Sequence, residues 1–133
     1  MKLAYIDSCI WITRFEGLPV YKIRIMQELE HLARSGWTFC TSEVVWLEVL
    51  SKPIQQGHDD IVRKYTAFLT TLNMLQHHPD VFTNALNIAS KEHLKALDAI
   101  HVEIAAHHAC ALFVSSDPHF QHLTTLTPHW IKL

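Results

Sequence analysis

At 133 residues, with 49% hydrophobic and 18% charged side chains, the chain carries enough apolar mass for a real core and is too apolar to stay disordered. Its formal net charge of −2 excludes a globally basic nucleic-acid binder, so any such contact must be a local patch. Cys9, Cys40 and Cys110 are odd in number and widely spaced, which excludes a disulfide framework and a cysteine zinc site.

Met1-Lys2 runs directly into the first predicted strand, leaving no room for a signal peptide, and no apolar stretch is long enough to span a bilayer. The expectation is a cytoplasmic protein with no membrane contact. Leu3 to Ile6 reads as a short buried strand, followed by a helix that Ser8 caps, running through Phe15 and ended by Gly17 and Pro19. Val20 to Ala33 carries Ile23, Met26, Leu29, Leu32 and Ala33 at helical spacing, and Gly36 stops it. Trp37 to Cys40 is a second strand. Thr41-Ser42 opens a helix through Ser51, which Pro53 ends.

Asp59-Asp60 starts another helix, with Ile61, Tyr65, Phe68, Leu69 and Leu72 as its apolar stripe. Leu72 to Gln76 follows as a third strand. Asp80 to Ser90 and Lys95 to His108 are helical, Ala111 to Ser115 is a strand, and His129 to Ile131 adds an edge strand. Strands alternating with helices imply crossovers and a mainly parallel sheet covered on both faces. The expected fold is a single α/β domain over residues 1–133, a three-layer α/β/α sandwich.

Sites in such sheets form beyond the carboxyl ends of the strands. Asp7 follows the first strand and Asp117 follows "LFVSS", so the two meet if those strands pair. Glu48 shares the narrow polar strip of an otherwise apolar helix, facing either a solvent gap or a polar cavity. Asp98 stands in the first turn of a helix whose Leu97, Ile100 and Ile104 look core-facing. Each acid alone reads equally well as a cap, a turn residue or a solvated stripe. The set is informative where the single residue is not.

"YIDSCIWI", "SEVVWLEVLSKP" and "LKALDAIHVEIAAHHACALFVSSDPHF" together resemble the PIN-domain nucleases, and more narrowly the VapC toxins of toxin–antitoxin pairs. The last block is the specific part: D-A-I-H, an alanine-rich helix, a strand and S-S-D-x-x-F match in order and spacing. The resemblance implies a PIN-like fold, with Asp7, Glu48, Asp98 and Asp117 as an acidic quartet and Ser8 or Ser115 as the hydroxyl that orders it. The chain departs from the family's pattern at Leu97, Ser116 and His119, where relatives often carry Pro, Asn and Asp.

Two carboxylates about 5 Å apart repel by roughly 3 kcal/mol at an effective dielectric near 20. Several together require proton uptake or a cation. Mg²⁺ fits because it keeps several waters and needs only one or two direct carboxylates, and Mn²⁺ satisfies the same oxygen donors. Such an ion makes hydroxide available and stabilises phosphate charge, so phosphodiester hydrolysis follows, and the resemblance implies that the substrate is RNA and the activity endoribonucleolytic. Asp7 and Asp98 are expected to hold the ion most directly, Asp117 through water or at a second ion, and Glu48 to orient the attacking water or complete the shell. Arg14, Lys52 and Lys95 are rim candidates for RNA, whereas Trp11 and Trp46 sit in apolar runs and read as core rather than as stacking platforms.

The resemblance further implies a cognate antitoxin as partner and a homodimer whose surface the apolar early helices provide. The competing readings are a solitary RNA-processing PIN protein, a non-catalytic binding module on the same fold, and an aspartyl-phosphate enzyme using Asp7. The last lacks the usual second Asp, since Cys9 occupies that position. A zinc site among His77, His78, His101, His107 and His108 has no H-E-x-x-H or H-x-E…C-x-x-C pattern behind it.

Overall fold

The apolar runs Tyr5-Ile6 and Leu112–Val114 show no alternation with polar residues, a pattern stable only when both faces of a strand are covered. In the computed structural model, which describes residues 2–133, these runs form adjacent strands at the centre of a five-stranded sheet. The strands are β1 (Lys2–Ile6), β2 (Trp37–Ser42), β3 (Asn73–Leu75), β4 (Leu112–Ser115) and β5 (Thr127–Trp130). Their order is β3-β2-β1-β4-β5, and every neighbouring pair is parallel.

Six α-helices make the first three connections, α1 (Ser8–Glu16), α2 (Pro19–Arg34), α3 (Glu43–Gln55), α4 (Asp59–Leu69), α5 (Val81–Glu92) and α6 (Ala96–His107), and a 3₁₀ turn at Pro118–Phe120 joins β4 to β5. The chain steps outward from β1 through β2 to β3, then returns across the sheet to β4 and β5. With crossovers of one hand, this reversal puts α1–α4 on one face and α5–α6 on the other. The expected three-layer α/β/α architecture is therefore present, with a wholly parallel sheet. Tyr5, Phe113, Trp11, Tyr65 and Phe120 are among the largest fully buried side chains, so the core spans both faces.

Four expectations need correction. The cap of α1 is Asp7, whose carboxylate accepts the Ser8 N–H at 2.8 Å, and Ser8 is the first helical residue. Pro53 does not end α3, which runs to Gln55. The proline forgoes its N–H bond and crowds the Val49 carbonyl, but it lies in the last turn and its ring is buried. On α2 the buried residues are Ile25, Leu29 and Leu32, whereas Ile23, Met26 and Ala33 line an open groove. Leu97 is 44% exposed rather than core-facing, while Ile104 is buried. The apolar stripe is wider than the core it serves in both helices.

Candidate metal centre

The order of strands reverses between β1 and β4, and a crevice opens there beyond their carboxyl ends. Ile6 pairs with Val114, and the Asp7 N–H donates to the Val114 carbonyl at 2.9 Å. Asp7 and Asp117 thus leave the sheet side by side. α3 brings Glu48 from above β2, and the first turn of α6 brings Asp98.

Two serines tie the acids together. Ser115 Oγ donates to Asp7 Oδ2 at 2.8 Å and accepts the Asp117 N–H at 3.0 Å, so one hydroxyl fixes the acids of two strands. Ser8 Oγ donates to Glu48 Oε1 at 2.9 Å and lies 3.5 Å from Asp7 Oδ1. Asp7 is almost wholly buried and Glu48 partly so, which identifies the polar cavity that Glu48 faces. The departures Ser116 and His119 also border the crevice. Ser116 Oγ donates to Cys9 Sγ at 3.3 Å, and His119 engages Asp117 Oδ1 through its own N–H at 2.9 Å and through Nδ1 at 2.7 Å.

His101 is the central residue that sequence reasoning considered only as a zinc ligand. It is fully buried, and its Nε2 hydrogen-bonds Glu48 Oε1 and lies 3.9 Å from Asp7 Oδ1. Its Nδ1 meets the Tyr5 hydroxyl at 2.7 Å, and that hydroxyl meets Ser42 Oγ at 2.7 Å. The signal was present in D-A-I-H: three residues past Asp98 is the same face of the helix.

The electrostatics record the crowding. Burial raises the pKa of Asp98, and the negative charges of Asp7, Asp117 and Glu48 raise it further against the opposing pull of His101. Burial pushes His101 down, but the Glu48 hydrogen bond and the charges of Asp7, Glu48 and Asp98 outweigh it and hold the ring above its ordinary pKa. Burial likewise raises Glu48, yet the hydrogen bond and charge of His101, with the Ser8 hydroxyl, bring it below the carboxylate range. The Cys9 thiol, 3.4 Å from Asp7 Oδ2, is pushed up to about 11 by burial and then by Asp7, so it lies at the crevice as a neutral group.

One imidazole therefore faces four carboxyl groups, and this excess of acids suits a hard divalent cation with oxygen ligands. Donor atoms of Asp7, Glu48 and His101 lie within 4.8 Å of one another, and Asp98 and Asp117 are close enough to be felt electrostatically. Of the rim candidates, Lys52 and Lys95 are exposed, four residues after Glu48 and three before Asp98. Arg14 lines the open groove with Trp11, its guanidinium 5.4 Å from the Phe15 ring centre. Trp11 is core.

An open parallel sheet with acids gathered at its reversal point defines a class of α/β proteins built around a carboxylate crevice. The family profile of the PIN domain matches residues 4–126, and the chain belongs to that family. A search of curated proteins finds no match. Among solved structures, the chain is similar to VapBC2 from Rickettsia felis bound to a DNA fragment from its promoter. The identity there is 15% and the TM-score 0.79, over 98% of this chain and 99% of that one. It is also similar to a toxin–antitoxin complex from Klebsiella pneumoniae, at 20% identity and TM-score 0.71, over 93% and 95% of the two chains. DNA-bound VapBC from Salmonella typhimurium gives 12% identity and TM-score 0.76, over 99% and 100%. These likenesses share the fold.

Proposed function

We propose that the protein is a Mg²⁺-dependent endoribonuclease and the toxin of a toxin–antitoxin pair. The carrying observation is the convergence of Asp7, Glu48, Asp98 and Asp117 on one crevice, felt as the upward pKa shift of Asp98. Asp7 and Asp98 would hold the ion most directly, with Asp117 through water or at a second ion, and Mn²⁺ would serve in its place. When bound, the ion supplies Lewis acidity that offsets charge on the scissile phosphate and brings water nearer to hydroxide.

The chain's own residues set the geometry. Ser115 and the Ser8 N–H hold both oxygens of Asp7, leaving little freedom of the carboxylate to be lost on binding. His101 and Ser8 orient Glu48, which would align the attacking water or complete the metal shell. Lys52 and Lys95 offer the positive rim that an RNA backbone needs beside an acidic pocket.

An antitoxin is the partner that the VapBC relatives suggest. An open groove of about 640 Å³, lined by Trp11, Ile23, Met26, Phe39, Phe68 and Leu72, suits an apolar peptide segment. That use of the early helices leaves exposed Phe82, Leu86 and Leu97 as the surface for a second copy.

The test is cleavage of an RNA pool with mapping of new 5′ ends. Cleavage should require Mg²⁺ or Mn²⁺, and Asp7→Asn should lower the rate by about a hundredfold or more, several kcal/mol of transition-state stabilisation. Full activity of Asp7→Asn in Mg²⁺ sinks the assignment.

A further inference from the structure

The acidic crevice leaves the Glu103 cluster unused. Glu103 and His107 stand one turn apart on α6, and His78 reaches them from the β3–α5 connection. Glu103 is 4% exposed, a rare setting for a carboxylate. His78 Nε2 lies 2.7 Å from its Oε1, and Asn84 Nδ2 donates to the same oxygen at 3.2 Å. Its buried Oε2 has no hydrogen-bond partner among the described residues. Buried polar atoms are nearly always satisfied, so an orphaned carboxylate oxygen calls for a missing partner.

The neighbouring donors specify the chemistry of that partner. The His107 ring stacks on His78 with centres 3.9 Å apart and planes 25° from parallel. One donor atom from each of His78, Glu103 and His107 lies within 4.8 Å of the other two. We infer that these three residues form a second cation site, for a divalent transition ion of the zinc class. Two imidazoles and one carboxylate suit a borderline ion and leave a coordination position open to solvent beside exposed His107. Ligand bonds of about 2.0–2.2 Å require the donors to draw together. Stacked rings aim their in-plane lone pairs side by side, so the exposed His107 ring would have to turn out of the stack and the His78–Glu103 pair, 2.7 Å apart, would have to open to admit the ion. Mg²⁺ prefers the crevice, where four carboxyl groups outnumber the one imidazole of His101, and the two-imidazole cluster favours the softer ion, so ligand softness divides the two sites.

The bound ion would fasten the β3–α5 connection to α6. Glu103 lies about 200° around that helix from His101, so the same helix would carry a structural ion on one side and the acidic crevice on the other. The two sites share no ligand, and loss of this inference leaves the nuclease reading standing.

The experiment is Zn²⁺ competition against a chromophoric chelator on the full chain, with stoichiometry by native mass spectrometry. In excess Mg²⁺, wild type should hold one Zn²⁺, and the Asp7→Asn, Asp98→Asn double variant should keep it. His107→Ala, at an exposed position that leaves the fold intact, should weaken that Zn²⁺ by about tenfold or more, as should His78→Ala. Co²⁺ should report the site by visible absorption that His107→Ala abolishes. The inference is overturned if wild type takes up no Zn²⁺, if His107→Ala keeps wild-type affinity, or if the double variant alone removes the ion.

Discussion

The pKa of His101 stands above its ordinary value because the Glu48 hydrogen bond and the charges of Asp7, Glu48 and Asp98 outweigh the cost of burying the charged ring. A raised histidine pKa gives stability that is fully present below about 6.5 and is lost as pH rises through the folded value. Glu48 has a depressed pKa, so its contribution is present above about 4.5 and is lost as pH falls through the folded value. Asp98, with its raised pKa, favours folding when protonated and opposes it once ionised. The metal-free protein should therefore be most stable in mildly acidic solution and weaken on the alkaline side, as read by urea denaturation across pH. His101→Gln should flatten the alkaline fall. A wild-type curve that rises through pH 8 would contradict the raised pKa of His101.

At the scale of elements, α1 links the crevice to the rest of the fold. Its first residues, beside Asp7, carry Ser8, and its last turn closes where the Gly17 N–H meets the Thr13 carbonyl at 2.9 Å. A Cβ on Gly17 would stand 2.6 Å from that carbonyl oxygen, a backbone atom that cannot swing aside. Gly17→Ala should cost about 1–3 kcal/mol, seen as a fall of several degrees in Tm. Affinity for Mg²⁺ should stay unchanged, because the clash lies at the far end of the helix. Element boundaries were legible where turn chemistry and apolar period agreed, as at Gly17, Gly36 and the strand ending at Ser115. They were misread where burial outweighed a local rule: Pro53 stays helical because its ring is buried. The α2 stripe and Leu97 were misassigned because an apolar residue facing a groove or a free surface has the same periodicity as one facing the core.

For the molecule as a whole, the ionised Asp98 opposes folding until the charge around it is compensated. Mg²⁺ that binds only the folded state stabilises it by about 2.7 kcal/mol at a hundredfold excess over Kd. Wild type should gain Tm on Mg²⁺ addition. Asp98→Asn should melt slightly higher than wild type without metal, by less than about 1 kcal/mol since Asp98 is half exposed and its repulsion screened, and should gain less from Mg²⁺. This reversal of rank with metal distinguishes a cation site from a merely destabilising carboxylate. Thermal melts of both proteins with and without Mg²⁺ measure it. Among the described residues no helix is long and apolar enough to cross a membrane.

The sequence by itself determined the alternation of strands and helices, and with it a parallel sheet and four acids at places where such sheets carry sites. The alternation and the strand-end acids Asp7 and Asp117 are local, written in periodicity and in the residues after the strands, whereas Glu48 and Asp98 lie on helices and stand out through the family resemblance. Only the tertiary structure decided that Ser115 serves two acids at once, that His101 stands between Glu48 and Asp7, and that His78 meets Glu103 and His107. Each of these depends on distances between segments far apart in the chain. Burial, which sets both the cost of a charge and the value of its partner, exists only once those segments have packed.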